Sequence, residues 1–323
     1  MDATGKLLVA IDVAGSKGLE IGPLDNPRIA RHQGDVHYVD HASADALRDK
    51  YRTNPALVDR LDEIVDVDHV IEPGGTISEA VGATGSYDYV IASHVLEHVP
   101  DPVGWLRDLA SVLRVGGVIS LVLPDKRYCF DVNRRLTEAA DLIDAHLRHA
   151  THPTYAQVFD FESKIVAADS IELWHNGADY GLRRRDDVGD PERYAFERCL
   201  EQRQSGAYFD VHCHTFTPRS FLSIYRTLAN LDLVDFSIAA FFPTEENAME
   251  FFVTLELLPP TDPVARREEQ LRSVTEAEAA APDAGGSEAM TLEVSAKERR
   301  LILMKRRLLA RVRRTPIDED QRP

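Results

Sequence analysis

The stretch "YDYVIASHVLEHVPDP" (87–102) sets His94, Glu97 and His98 in an H-x-x-E-H spacing. On a helix, positions four apart share a face, so two imidazoles with a neighbouring carboxylate have the donor set of a zinc centre that hydrolyses its substrate. That reading needs a long helix. Pro100 and Pro102 stop any helix within a turn of His98, and an apolar strand precedes the motif. A zinc hydrolase therefore stands only as an alternative, and no residue is assigned to a metal. A second group, Asp210, His212 and His214 in "FDVHCHTF", alternates along the chain. If extended, these residues point to one face and suit a base, an acceptor clamp or a metal, although a polar loop has the same composition. A third group opens the chain. "LEIGPLDNP" offers Glu20, whose carboxylate can accept from an ammonium or hydroxyl, then Gly22 and Pro23, where backbone can approach a ligand closely. A tight strand-to-helix turn reads the same way. Asp40 lies 18 residues beyond Gly22 and suits both hydroxyls of a ribose, or a loop or helix cap.

These residues sit at the ends of apolar segments. "GLEIG" (18–22), "VHYVD" (36–40), "EIVDVD" (63–68), "YDYVIAS" (87–93) and "VISLVLP" (118–124) read as strands. "ADALRDKY" (44–51) and "PVGWLRDLASVLRVGG" (102–117) read as helices, the second with Pro102 near its start and Gly116 and Gly117 at its end. The alternation predicts an α/β fold, a doubly wound Rossmann-like sheet whose ligands lie at the carboxyl ends of its strands. Residues 1–125 form the binding half. The alternation then lapses over 126–215, which reads as an inserted cap or acceptor region. "TPRSFLSIYRTLANL", with Thr217 as cap and Pro218 first in the helix, and two late strands complete the sheet over 216–260. Residues 261–296, including "EAEAAAPDAGGSEA", read as a disordered linker, and 297–323 as a basic amphipathic helix and tail.

The bulk properties narrow the function. The chain has 323 residues, a formal net charge of -17 and three cysteines without C-x-x-C spacing. An acidic body disfavours nucleic acid, and the cysteine usage and lack of a long apolar run predict a cytoplasmic protein. Lys297–Arg314 opposes the trend with nine Lys or Arg against one Glu, which leaves about -25 for the rest. It suits a solvated helix, a protein contact or peripheral attachment to an anionic inner membrane.

From about 18 to 125 the chain resembles class I S-adenosylmethionine-dependent methyltransferases, and 87–127 is similar to the signature of their small-molecule branch. "FDVHCHTFTPRSF" and "EFFVTLELL" resemble members from bacterial polysaccharide loci. The resemblance implies a seven-stranded sheet and S-adenosylmethionine as cofactor, with a sugar, glycan or other small polar acceptor methylated on oxygen. By position it implies that Glu20, Gly22 and Pro23 line the methionine and ribose, Asp40 holds the ribose, Asp68 and His69 lie against the adenine, and His94 sits beside the methionine. The sequence departs from the usual E/D-x-G-x-G loop, with Leu24 in place of the second glycine. That departure keeps open a non-catalytic cofactor-binding scaffold. Methyl transfer to a hydroxyl needs positioning and a base, for which His98 and Asp125 are the candidates. Arginines of "GLRRRDD" (181–187) suit an anionic acceptor, and Trp174 and Tyr180 a sugar ring, although core packing serves both aromatics equally.

Overall fold

The computed structural model describes residues 1–177, 183–184, 188–260 and 262–281. Its strands are β1 (Lys17–Ile21), β2 (Asp35–Asp40), β3 (His69–Val70), β4 (Tyr87–Ser93), β5 (Leu113–Pro124), β6 (Val166–Ala167), β7 (Arg183–Arg184), β8 (Phe236–Phe242) and β9 (Glu250–Leu257). A seven-stranded sheet runs β3-β2-β1-β4-β5-β9-β8. Strands β1 to β5 are parallel, while β9 is antiparallel to both β5 and β8. The chain therefore has the expected doubly wound α/β sheet. After β1 the order proceeds one way to β2 and β3 and the other way to β4 and β5, so the switch point lies between β1 and β4.

The helices are α1 (Ala3–Leu7), α2 (Ala44–Tyr51), α3 (Ile77–Val81), α4 (Pro102–Val112), α5 (Ala139–Leu147), α6 (Tyr155–Lys164), α7 (Ser170–Asn176), α8 (Pro191–Ser205), α9 (Pro218–Asn230) and α10 (Pro263–Ala280). Alternate residues of the strands feed two cores. Leu19, Val90, Ile119, Leu121 and Val253 face a layer that includes Val103, Leu106 and Leu109 of α4 and Leu222 and Tyr225 of α9. Tyr38, Tyr89, Ile91, Val118 and Phe252 face the other side, against Leu7, Val9 and Ile11. Strands buried on both faces explain why β4 and β5 read as continuous apolar runs. Gly18 has a packing reason of its own. A Cβ there would lie 1.9 Å from the Tyr89 ring, which closes over the strand.

Two expectations are corrected. The run 63–68 is not a strand: Val58–Glu63 is a 3-10 turn, and only His69 and Val70 pair with β2. Three acids in six residues weaken the apolar alternation that a strand needs. The proposed linker is likewise ordered over Pro263–Ala280 as α10, which buries Gln270, Ser273, Val274 and Ala277. Gln270 Nε2 donates to the carbonyls of Val234 and Phe236, and Arg226 pairs with Glu278 at 2.6 Å. Low complexity concealed a helix whose small residues pack closely on α9 and β8. Between β5 and α9, the segment 126–215 is mainly helical, with β6 and β7 paired to each other outside the main sheet. Residues 282–323, including Lys297–Arg314, lie outside the described residues, as do Tyr180 and most of 181–187.

Candidate active site

The crevice at the β1/β4 switch point is shaped by the loop that leaves β1. Glu20 is buried and its two oxygens accept from the backbone N–H groups of Arg28 (2.6 Å) and Ile29 (3.1 Å). Burial pushes its pKa up to about 7, against the pull of those two donors and the Arg28 guanidinium. Its side chain thus holds the returning limb of the loop. Gly22 is exposed with φ +63°, and a Cβ there would have Val95 as its only close neighbour, at 3.6 Å. Leu24 also has a positive φ, +48°. The chain follows the left-handed path of a glycine at this point although it carries a leucine. Leu24 packs against the Ala44, Leu47 and Ile64 cluster, and that burial offsets the backbone strain. Pro23 lies between these two turns.

Asp40 ends β2 and is buried, with Oδ1 accepting from the His41 backbone N–H (2.7 Å) and facing His41 Nδ1 at 2.6 Å. Its other oxygen has no hydrogen bond among the described residues, which leaves an acceptor at the mouth of the crevice. Asp68 and His69 stand elsewhere than expected. They lie at the entry of β3, since Val39 pairs with His69. Asp68 Oδ2 accepts from Tyr38 N–H (2.7 Å) and Arg31 (2.8 Å), while His69 stacks on His37 with ring centroids 5.4 Å apart. The carboxyl end of β3 is instead followed by Ile71 and the exposed Glu72. The misplaced strand end accounts for the miss.

At the carboxyl end of β4, His94 has φ +55° and its ring lies between two carboxylates: Nε2 is 2.9 Å from Glu250 and Nδ1 3.5 Å from Glu97. Burial pushes the imidazole pKa down, but the two acids outweigh it and raise it to about 9. Glu250 was not singled out in the sequence because it opens an antiparallel strand, whose first residue lies beside the last residue of β5, Pro124. Arg28 is a second addition, with its guanidinium 3.0 Å from Ser93 Oγ across the switch point. The H-x-x-E-H run is not on an α-helix; Leu96–His98 is a single 3-10 turn.

The insertion returns to this turn. His98 Nδ1 lies 2.8 Å from Asp210, and His212 Nδ1 lies 2.6 Å from Asp131. Burial lowers the His98 pKa, but Asp210 and Glu97 outweigh it and leave it raised. The rings of His98 and His212 meet edge to face at 4.6 Å. Arg134 is buried, holding Asp131 at 2.9 Å and the His212 carbonyl at 2.8 Å. Glu97 is fully buried, and neither of its oxygens has a hydrogen-bond partner. His214, expected beside His212, is buried away from the group, and burial pushes its pKa down to about 4. Asp125 is buried too, its oxygens taken by Arg127 and by the Thr244 hydroxyl (2.7 Å). In that setting it ties the end of β5 to its neighbours and presents no free face to an acceptor. Trp174 stacks on Tyr128 at 3.9 Å and donates to the Ala248 carbonyl, so both faces of its role are internal packing and bonding.

Residues 4–163 match the family model described as a methyltransferase domain. A "Ubiquinone biosynthesis O-methyltransferase" from Parvibaculum lavamentivorans is 36% identical over 78 residues, 24% of this chain and 28% of that protein. The match thus spans less than a third of that relative's length. A SAM-dependent methyltransferase from Methanosarcina mazei aligns over 75% of this chain and 92% of its own at 15% identity and TM-score 0.39. One from Mesorhizobium loti aligns over 79% and 98% at 13% identity and TM-score 0.37. Likenesses this distant add nothing about substrate. S-adenosylmethionine is the expected cofactor of the methyltransferase domain, and the residues fit it: an exposed Gly22 backbone, the open oxygen of Asp40 and a crevice at the switch point. Among the described residues, no helix is long and apolar enough to cross a membrane.

Proposed function

We propose that the protein methylates an oxygen of a small polar acceptor, a sugar or glycan hydroxyl being the preferred class. The observation that carries this reading is the pair of carboxylate-held imidazoles, His98 with Asp210 and His212 with Asp131, beside the β1/β4 crevice. S-adenosylmethionine, when bound, supplies a methyl group already activated on sulfur, so the protein's work is orientation, exclusion of water and acceptance of the hydroxyl proton. Gly22 and Pro23 would border the methionine and ribose, with Glu20 fixing the loop that carries them. Asp40 would accept from the ribose, Glu72 would stand towards the base, and His94 would lie at the methionine end. Each imidazole has Nδ1 engaged by a carboxylate, which leaves Nε2 as the lone pair for the acceptor's proton.

A non-catalytic cofactor-binding scaffold is the alternative that a glycine-poor loop suggests, and the positive φ of Leu24 counts against it. Peripheral contact of Lys297–Arg314 with membrane or protein belongs to the same proposal, supported by its excess of nine basic residues over one acid. The test is transfer of labelled methyl from S-adenosylmethionine to sugar nucleotides and glycan extracts, with the products separated by linkage. Labelled methyl ethers support the reading. Label confined to nitrogen or carbon, or no transfer by protein that binds S-adenosylhomocysteine, would overturn it.

A further inference from the structure

His37 and His69 take no part in the crevice. Nδ1 of His37 lies 3.1 Å from Nε2 of His69, and the two rings are 23° from parallel with centroids 5.4 Å apart. Tyr87 opens β4 and sets its hydroxyl 3.3 Å from the same Nδ1 of His37. His37 is the third residue of β2 and His69 the first of β3, so the group lies towards the amino ends of β2 and β4, whereas the crevice is at the carboxyl ends. Tyr87 is buried, but the His37 side chain is 31% exposed and His69 is half-buried, which opens the two nitrogens to solvent. A single N–H···N bond accounts for one contact only, and the phenol oxygen brings a third polar atom, from a third strand, to the same nitrogen. Nitrogens about 2.0–2.1 Å from a shared ion and 3.1 Å from each other subtend roughly 100° at it, between the square and tetrahedral angles.

We propose that His37 Nδ1 and His69 Nε2 bind a divalent transition ion that prefers imidazole, of the zinc, nickel and copper(II) class, with the Tyr87 hydroxyl as a neighbouring oxygen. Two nitrogen ligands select such an ion over magnesium or calcium, which prefer oxygen throughout. Nε2 of His37 faces the Asp35 carboxylate at 3.6 Å, the kind of outer partner that orients a ligating ring. Lys17, whose ammonium lies 4.8 Å from the centre of the Tyr87 ring, opposes a cation here, and the charges of Asp35 and Asp68 on His37 act against it. Binding uses both lone pairs, so the ring that donates in the N–H···N bond carries its hydrogen on its other nitrogen instead, and two neutral rings release no proton. The exposed side leaves the remaining coordination positions to water. No spacing rule joins two histidines 32 residues apart, and the site departs from the expectation that no residue binds a metal.

The role is structural and stands apart from methyl transfer. An ion held here clamps β3, which is two residues long, to β2 and to the start of β4, and because only the folded chain brings the nitrogens together it stabilises that state. The test is calorimetric titration of chelator-treated full-length protein with zinc chloride, with thermal melting in the presence and absence of zinc. Saturable micromolar binding is expected in the wild type, at least tenfold weaker in His37→Gln and in His69→Gln, with a zinc-induced rise in melting temperature that both variants lose. Tyr87→Phe weakens binding by less. Nitrogen NMR of the histidine rings in the wild type keeps the test valid if a variant does not fold: zinc shifts Nδ1 of His37 and Nε2 of His69. Absence of saturable binding, binding unchanged in folded His37→Gln and His69→Gln, or zinc shifts confined to other histidines overturns the site.

Discussion

The backbone N–H of His214 donates to the carbonyl of Glu97 over 3.0 Å. Around this bond, the Tyr208 hydroxyl (3.2 Å) and the Cys213 thiol (3.3 Å) both donate to the His98 carbonyl. The returning limb of the insertion is thereby laid along the turn after β4, with Asp210 and His212 at His98 and His214 in the interior, so the limb does not keep the strict alternation of an extended strand. A polar chain continues from there to Asp40 at the end of β2. Asp210 lies 3.8 Å from Lys50, Lys50 3.1 Å from His41, and His41 2.6 Å from Asp40. These contacts link the end of β2 to the imidazole pair.

Glu20 gives stability a pH dependence. Its folded pKa is raised from 4.5 to about 7 by burial, so between these values the folded protein holds a proton that the unfolded chain has released. Stability from this group is therefore greatest below pH 4.5, falls as pH rises to about 7 and is level above, a loss on the order of 3 kcal/mol. Denaturant unfolding of the protein and of Glu20→Gln across pH 4.5 to 8 should show the wild type losing ground to the variant up to pH 7. Parallel pH profiles would contradict the assignment.

Gly18→Ala tests the closure of Tyr89 over β1. The added Cβ would overlap the ring at 1.9 Å, and the ring is buried. We expect a loss of about 1–3 kcal/mol in urea unfolding, with part of it recovered when Tyr89 is also changed to Leu. A variant as stable as wild type would show that the ring moves aside freely.

The ordered α10 separates two truncations. A chain ending at residue 260 loses Val274 and Ala277 from the main core and should melt well below the full chain. A chain ending at 281 keeps them and should melt within a few degrees of it. Equal melting of both would mean that α10 does not contribute to the core. Methyl transfer by the 1–281 protein then reports whether Lys297–Arg314 is needed, free of damage to the fold.

The fold was legible where local signals and burial agree. Helix 44–51, with Ser43 as cap, and strand 87–93 stand where the pattern sets them, and Thr217 caps α9 with Pro218 at its first position. Errors arose where tertiary contacts overrule local pattern. The acid-rich 63–68 forms a turn and coil before a two-residue β3, which moved Asp68 and His69 away from the strand's carboxyl end. The alanine-rich 263–280 is helical because it packs on α9 and β8. In the site, the meeting of His98 with Asp210 and of His212 with Asp131 spans separations of 112 and 81 residues, which no spacing rule reaches. Glu250 and Arg28 were missed for a related reason: each reaches the end of β4 through a contact distant in sequence, Glu250 with His94 and Arg28 with Ser93.

The central claim is that S-adenosylmethionine chemistry is housed in the crevice between β1 and β4, with Asp40 as a ligand. Calorimetric titration with S-adenosylhomocysteine of the wild type and of Asp40→Ala tests it most directly. The account predicts one saturable site per chain and at least a tenfold weakening in a variant whose melting temperature is nearly unchanged. No binding by the wild type, or equal affinity in the two proteins, would contradict it.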